Sequence, residues 1–94
     1  MDDGEPISLL TRRLSPSFER RVFLVAPGRA RAYDEADWRD ALVVVECGEI
    51  ELEGRDGGCE RFASGALLWL AGLPLRALNN RGGEPTVLVA VRRR

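Results

Sequence analysis

The 94-residue sequence contains no histidine and no lysine, and it has only two cysteines, one methionine and six aromatic residues. Without histidine, the chain lacks the side chain that titrates near neutral pH and that most commonly binds transition metals. A catalytic base would therefore have to be a glutamate, aspartate, cysteine or tyrosine with a strongly perturbed pKa. Cys47 and Cys59 are not spaced as a metal-binding or redox pair. We expect both to be free thiols and the protein to be cytoplasmic.

Positive and negative side chains are nearly equal in number. The 14 cationic side chains, all arginine, nearly balance 15 acidic ones, so that the net charge is −1. We therefore expect no nucleic-acid partner and no attraction to an acidic membrane surface. The longest run without a polar side chain, residues 66–75, is about half of the ~20 residues that a membrane helix needs. The N-terminal segment MDDGEPIS has no apolar signal core.

Short segments rich in β-forming residues alternate with glycine and proline turn signals, which is typical of an antiparallel sandwich or barrel. The chain is predicted to form one domain over residues 1–94, with flexible termini at 1–6 and 92–94. A core this small favours a homodimer. The predicted strands are 7–10, 21–25, 42–46, 49–53, 59–63, 66–70, 76–80 and 86–91. Residues 29–41 fit either a helix or a short strand followed by a loop, and we favour the second because the neighbouring segments are strands.

A turn at 47–48 and a loop at 54–58 link the central strands. Cys47-Gly48 fits a two-residue hairpin turn, in which glycine supplies a positive φ. Strict alternation over residues 49–53 predicts that Ile50 and Leu52 face a core and that three glutamates face water. Pairing Glu53 with Cys59 would keep the two cysteines too far apart for a disulfide. The apolar segment 66–70 is predicted to lie between two layers or under a dimer partner.

Two stretches resemble the two motifs of the cupin family. They are GRARAYDEADWRDALVVVECG (28–48) and GALLWLAGLPLRALNN (65–80), with Gly28, Gly48, Gly65 and Asn80 at the marker positions. The family's Pro-x-Gly bend falls on residues 71–73, and Gly72 and Pro74 could form an equivalent bend. The resemblance implies an all-β fold, a small antiparallel double-sheet β-barrel of the cupin jelly-roll type, with a cavity between the sheets.

The same resemblance maps the family's metal ligands, three histidines and a glutamate, onto Asp34, Ala36, Ala41 and Arg76. One carboxylate, two alanines and a cation do not make a metal site. We therefore expect no metal and no cofactor.

Arg76 is the main candidate for ligand binding. If strand 76–80 alternates regularly, Arg76 and Asn80 share one face, and the resemblance turns that face towards the cavity. A buried guanidinium needs a partner. We favour an internal carboxylate, such as Glu46, Asp34 or Asp40, or a side chain that extends outward into solvent. The alternative is that the partner is the carboxylate or phosphate of a small anionic ligand.

The aromatic residues Tyr33 and Trp69 are candidates for the pocket wall, so the predicted ligand-binding set is Arg76, Tyr33, Asn80 and Trp69. For Trp69 we favour a core position over the pocket wall, and for Tyr33 we favour a solvated loop. The interleaved charges of residues 34–40 favour a wet surface over catalytic carboxylates.

Three functions are compatible with these sequence features. The first is a metal-free, cupin-like protein that binds or senses a small anion, or acts through its surface. The second is a cofactor-independent isomerase or lyase acting on a small acid. The third is a protein-interaction module whose barrel is filled by its own side chains. Since no base near neutral pH can be named, an enzyme is the less favoured of these.

Overall fold

The computed structural model describes residues 15–94, so the predicted strand 7–10 and terminus 1–6 lie outside the described residues. Within the described part of the chain there are eight β-strands and one helical turn. They are β1 (Phe18–Val25), β2 (Ala30–Ala32), α1 (Glu35–Trp38), β3 (Ala41–Cys47), β4 (Glu49–Gly54), β5 (Cys59–Ala63), β6 (Leu67–Leu68), β7 (Leu75–Asn79) and β8 (Thr86–Arg93). This is the predicted all-β class.

The strands form two four-stranded antiparallel sheets. Sheet A has the order β1-β8-β3-β6 and sheet B has the order β2-β7-β4-β5. Within residues 15–94, no strand pairing joins the two sheets into a continuous barrel. The predicted double-sheet jelly roll is confirmed, and its two layers face each other as separate sheets.

The space between the sheets is filled by apolar side chains, because each strand alternates inward and outward residues. The inward set includes Phe23, Val25, Val43, Val45, Leu88 and Ala90 from sheet A and Ile50, Leu52, Leu75 and Leu78 from sheet B. Trp38 of α1 is fully buried, and its ring lies 4.3 Å from the ring of Phe23, centroid to centroid. The tryptophan therefore fills the interior from the side of α1.

The link between β3 and β4 is not the predicted hairpin turn. β3 pairs with β8 and β6 in sheet A, whereas β4 pairs with β5 and β7 in sheet B. Gly48 (φ 76°) is where the chain crosses from one sheet to the other. A Cβ at this position would lie 2.7 Å from the Pro85 carbonyl oxygen and 2.8 Å from Thr86 Oγ1. Glycine is required here both by the positive φ and by the close approach of the segment before β8.

The predicted pairing of β4 with β5 agrees with the structure, whereas the predictions for segment 29–41 and for the C-terminus differ from it in part. Glu53 pairs with Cys59 and Glu49 with Ala63, as predicted, and both cysteines are free. Segment 29–41 contains the favoured short strand, β2, but its loop includes the helical turn α1. At the C-terminus, the structure differs from the flexible tail expected over 92–94, because Arg92 and Arg93 belong to β8 and pair with β1.

Candidate functional site

Arg76 lies on the outer surface of sheet B and not between the sheets. Glu53 pairs with Ala77 while the next residue, Gly54, pairs with Leu75, so Arg76 is the extra residue of a β-bulge. The bulge shifts the alternation, so that Leu75 is buried and Arg76 keeps 57% of its side chain exposed. Its guanidinium donates to Glu53 Oε2 (3.2 Å) and to the carbonyl of Arg55 (2.9 Å). The prediction that Arg76 faces a cavity is wrong because regular alternation does not hold across a bulge.

Trp69 is also on the outside. It follows β6, where Leu68 and Leu70 are buried and Leu67 is exposed, and its own exposed fraction is 54%. By alternation, Trp69 lies on the same side as Leu67, on the outer surface of sheet A. The fully buried tryptophan is Trp38.

Tyr33 and Asn80 are built into the scaffold. The hydroxyl of Tyr33 donates to the Glu35 carboxylate and lies 3.1 Å from the carbonyl of Leu70. Burial and the Glu35 carboxylate raise the pKa of Tyr33, and the tyrosine hydroxyl in turn lowers the pKa of Glu35. The buried amide of Asn80 donates to the carbonyls of Val25 (2.9 Å) and Glu84 (2.7 Å).

The four positions mapped onto the family's metal ligands do not converge. Asp34, Ala36 and Arg76 are exposed, Asp34 caps α1 by accepting from the Ala36 amide (3.0 Å), and Ala41 is buried in β3. Within residues 15–94, no group of three or more cysteine, aspartate or glutamate side chains is placed to hold a metal ion. The residues present therefore do not fit the metal that the fold family implies.

Within residues 15–94, no helix is long and apolar enough to span a membrane.

A polar network covers the outer surface of sheet B and is centred on Glu51, which is 7% exposed. Its carboxylate accepts from Asn79 Nδ2 (3.0 Å) and Arg81 Nε (2.9 Å), and Arg61 Nε lies 3.5 Å from Oε2. The hydrogen bond from Asn79, followed by the one from Arg81, lowers the pKa of Glu51 to about 2. Partial desolvation by neighbouring side chains and the adjacent Glu51 carboxylate raise the pKa of the Cys59 thiol, which makes it a poor nucleophile.

A second charged group lies where β1, an edge strand of sheet A, meets β2, an edge strand of sheet B. We call Arg21, Arg31 and Asp37 the seam cluster. Asp37 of α1 contacts Arg21 NH1 of β1 through Oδ1 (3.4 Å) and Arg31 NH2 of β2 through Oδ2 (3.0 Å). Both guanidinium carbons lie over the ring of Phe23, at 4.9 and 4.7 Å from its centroid. One carboxylate thus connects the two sheets at their edge.

The outer surface of sheet A is apolar across all four strands. Val22 pairs with Val89, Val89 with Val44, and Val44 with Leu67, which places them in one row. Val44 and Val89 are fully buried and pack with Val87 and Val91. Around them, a set of large side chains is exposed: Val22 (48%), Leu24 (69%), Leu42 (40%), Leu67 (50%) and Trp69 (54%). We call this set the apolar face.

Sequence reasoning missed both the seam cluster and the apolar face. Alternation in 21–25 does place Arg21 on the same side as Phe23, and this was the available signal. Its partner Arg31 lies ten residues away in a three-residue strand, too short for a pattern. The only sequence signal for the apolar face is segment 66–70, which is apolar on both sides and for which one of the two interpretations is contact with a dimer partner.

The comparisons with known proteins concern the fold. No protein-family model and no curated protein matches the chain. Among solved structures, it is similar to the 1.9 Å crystal structure of the Cupin_2 domain of an XRE-family transcriptional regulator from Enterobacter cloacae. The TM-score is 0.59 and the identity is 23%, with 80% of this chain and 79% of that chain covered. This likeness shows a cupin fold, as the resemblance implied.

Proposed function

With the cupin fold as the premise, we propose that this domain is a non-catalytic interaction module that forms a homodimer through its apolar face. The observation that carries the proposal is the set of large apolar side chains that are exposed on the side of sheet A away from the core, Leu24, Leu67 and Trp69 above all. In a protein that stays monomeric, an exposed surface of this kind is a liability for aggregation.

The size of the apolar face is consistent with the apolar centre of a dimer interface. Its five exposed members present on the order of 300 Å² of side-chain surface, since a fully covered valine or leucine buries roughly 60–120 Å² and a tryptophan roughly 150–250 Å². A stable interface covers about 800 Å² on each partner, with a polar rim around an apolar centre. A second copy supplies the same patch in an isologous pair, which no other partner does without a separate complementary surface.

The interior supports an interaction module over the two rival functions. Apolar side chains and Trp38 occupy the space in which a substrate or a small anion would lie. Arg76, the candidate residue for binding an anion, is instead paired with Glu53 on the outer surface of sheet B. Among residues 15–94, the perturbed acidic groups Glu19, Glu35 and Glu51 are all held ionised by hydrogen bonds, which is unfavourable for a general base near neutral pH.

We also propose a cytoplasmic location. Two exposed, unpaired cysteines support it, because a reducing compartment keeps such thiols from forming disulfides.

Analytical ultracentrifugation tests the homodimer. We expect the wild-type protein to sediment as a dimer, and Leu24→Glu and Leu67→Glu to sediment as monomers, because each places a charge within the apolar contact. Leu73→Glu is the matched control: Leu73 is 43% exposed but lies in the bend before β7, away from the apolar face. Wild-type protein that is monomeric at high concentration would refute the proposal, and so would a Leu24→Glu, Leu67→Glu double variant that remains dimeric. Circular dichroism verifies that each variant is folded.

A further inference from the structure

We infer that Arg21 and Arg31 form a binding site for a small oxyanion, a carboxylate or a phosphate, at the seam between the sheets, and that Asp37 occupies this site as an internal competitor. This inference concerns a different surface from the apolar face and does not depend on the homodimer.

The two arginines are pre-organised to hold one anion. They come from the edge strands of different sheets, yet both guanidinium groups are held over one ring, that of Phe23, at 4.9 and 4.7 Å. Stacking on an aromatic face fixes the plane of a guanidinium while leaving its N–H edge free to donate. The two groups thus face the same carboxylate without further ordering.

Most of the donors in the seam cluster are not used by Asp37. Each guanidinium carries five N–H bonds, and Asp37 receives one contact from each arginine. The side chains of Arg21 and Arg31 keep 44% and 38% of their surface exposed. An oxyanion from solvent can therefore reach two guanidinium edges and accept bidentate hydrogen bonds, which are stronger than the single contacts made by Asp37.

Two buried N–H groups, on residues that pack against the Phe23 ring, have no hydrogen-bond partner among residues 15–94. They are Arg31 Nε and Trp38 Nε1, and Trp38 is fully buried against the Phe23 ring. An unpaired buried donor is unfavourable and uncommon in native structures. Arg31 Nε belongs to the seam cluster, and the chemistry that would satisfy this donor is an acceptor, which an oxyanion supplies.

The charge of the seam cluster itself favours an anion as well. Next to the seam, Arg92 is paired with Glu19, so that pair is neutral. The seam cluster itself contains two cations and one carboxylate, leaving one net positive charge. Asp37 moderates this charge and competes for the same donors, which makes it the group whose removal should strengthen binding.

An NMR titration of the indole N–H resonances tests the inference. The two tryptophans are assigned with Trp69→Phe, and the protein is titrated with inorganic phosphate and, separately, with acetate at constant ionic strength. We expect at least one of these anions to shift the Trp38 resonance saturably. In Asp37→Asn the apparent Kd should fall roughly fivefold. This factor corresponds to about 1 kcal/mol, the upper end of the range for an exposed ion pair. The ratio of the apparent Kd values for phosphate and acetate shows whether the site prefers a phosphate or a carboxylate.

Variants of the arginines decide the assignment. Arg21→Gln and Arg31→Gln should each abolish the saturable shift, and Arg31→Lys, which keeps the charge but loses the planar fork, should weaken it. Arg76→Gln is the matched control and should bind as the wild type does. The inference fails if sodium chloride alone reproduces the shift, if the Arg21→Gln, Arg31→Gln double variant still binds, or if Asp37→Asn binds no more tightly. Because the readout is a resonance of Trp38, none of these outcomes depends on the oligomeric state.

Discussion

At the scale of single residues, the solvent exposure of Glu51 is much lower than its position in the alternating pattern predicts. Alternation in β4 correctly puts Ile50 and Leu52 in the core and the glutamates on the outer surface. Yet Glu51 is 7% exposed, because Arg61 of β5 and Arg81 of the loop after β7 extend over it. Their guanidinium groups and the Asn79 amide stabilise the ionised carboxylate, which explains its low pKa.

The low pKa of Glu51 predicts how stability depends on pH. The folded-state pKa, about 2, is below the usual value of 4.5. The ionised group therefore contributes stability that is complete above the unfolded-state pKa and is lost as pH falls towards the folded-state pKa. We expect the difference in unfolding free energy between the wild type and Glu51→Gln to be largest near neutral pH and to shrink between about pH 5 and pH 2. Urea denaturation across this range measures it.

Glu60→Gln is a suitable control for this experiment, since Glu60 lies in the adjacent strand β5 and is exposed. Its difference from the wild type should be small throughout. A Glu51→Gln difference that stays constant from neutral pH to pH 2 would contradict the assignment of the network as an ionic one.

At the scale of elements, connections are less predictable than strands. The segments before and after Gly48 are both strands, as the sequence indicates, but their hydrogen-bond partners lie in different sheets. A hairpin and a crossing between layers need the same local chemistry, a residue that tolerates positive φ. The contacts that distinguish them, with Pro85 and Thr86, come from a part of the chain more than 35 residues away.

Two glycine substitutions separate the effect of φ from that of close approach. A methyl group added at Gly28 (φ 74°) would have no atom within 4 Å, whereas one added at Gly48 (φ 76°) would lie against backbone and side-chain atoms. We expect Gly28→Ala to destabilise by about 1 kcal/mol through φ alone. Gly48→Ala should cost about 3 kcal/mol, because overpacking adds to the same strain. Equal losses in thermal or urea denaturation would show that the approach to Pro85 does not constrain Gly48.

For the molecule as a whole, the distribution of apolar surface between the inside and the outside is the main result. Trp38, surrounded by charges in the sequence, completes the core, while Trp69, in an apolar run, is exposed on the apolar face. A sandwich of two sheets has two outer surfaces. Here sheet B covers its outer surface with charges, and sheet A presents valine, leucine and tryptophan.

The two tryptophans should therefore respond differently to truncation. Trp38→Ala removes a fully buried side chain and should destabilise the monomer by about 3–5 kcal/mol. Trp69→Ala should change monomer stability by less than about 1 kcal/mol, as is usual for surface sites. Both are measured in the Leu24→Glu background, so that self-association does not contribute. A larger loss for Trp69→Ala would mean that Trp69 belongs to the core.

By itself, the sequence determined the all-β class, the positions of most strands, the β4–β5 register and the resemblance to the cupin fold. These depend on local alternation, on turn residues and on marker spacing, which can be seen along the chain. The tertiary structure decided the orientation of Arg76, the burial of Trp38 together with the exposure of Trp69, and the contact of Arg21 and Arg31 with the same carboxylate. Each of these depends on a bulge, on a crossing between sheets or on which strands become edges, and those are set by pairings between distant residues.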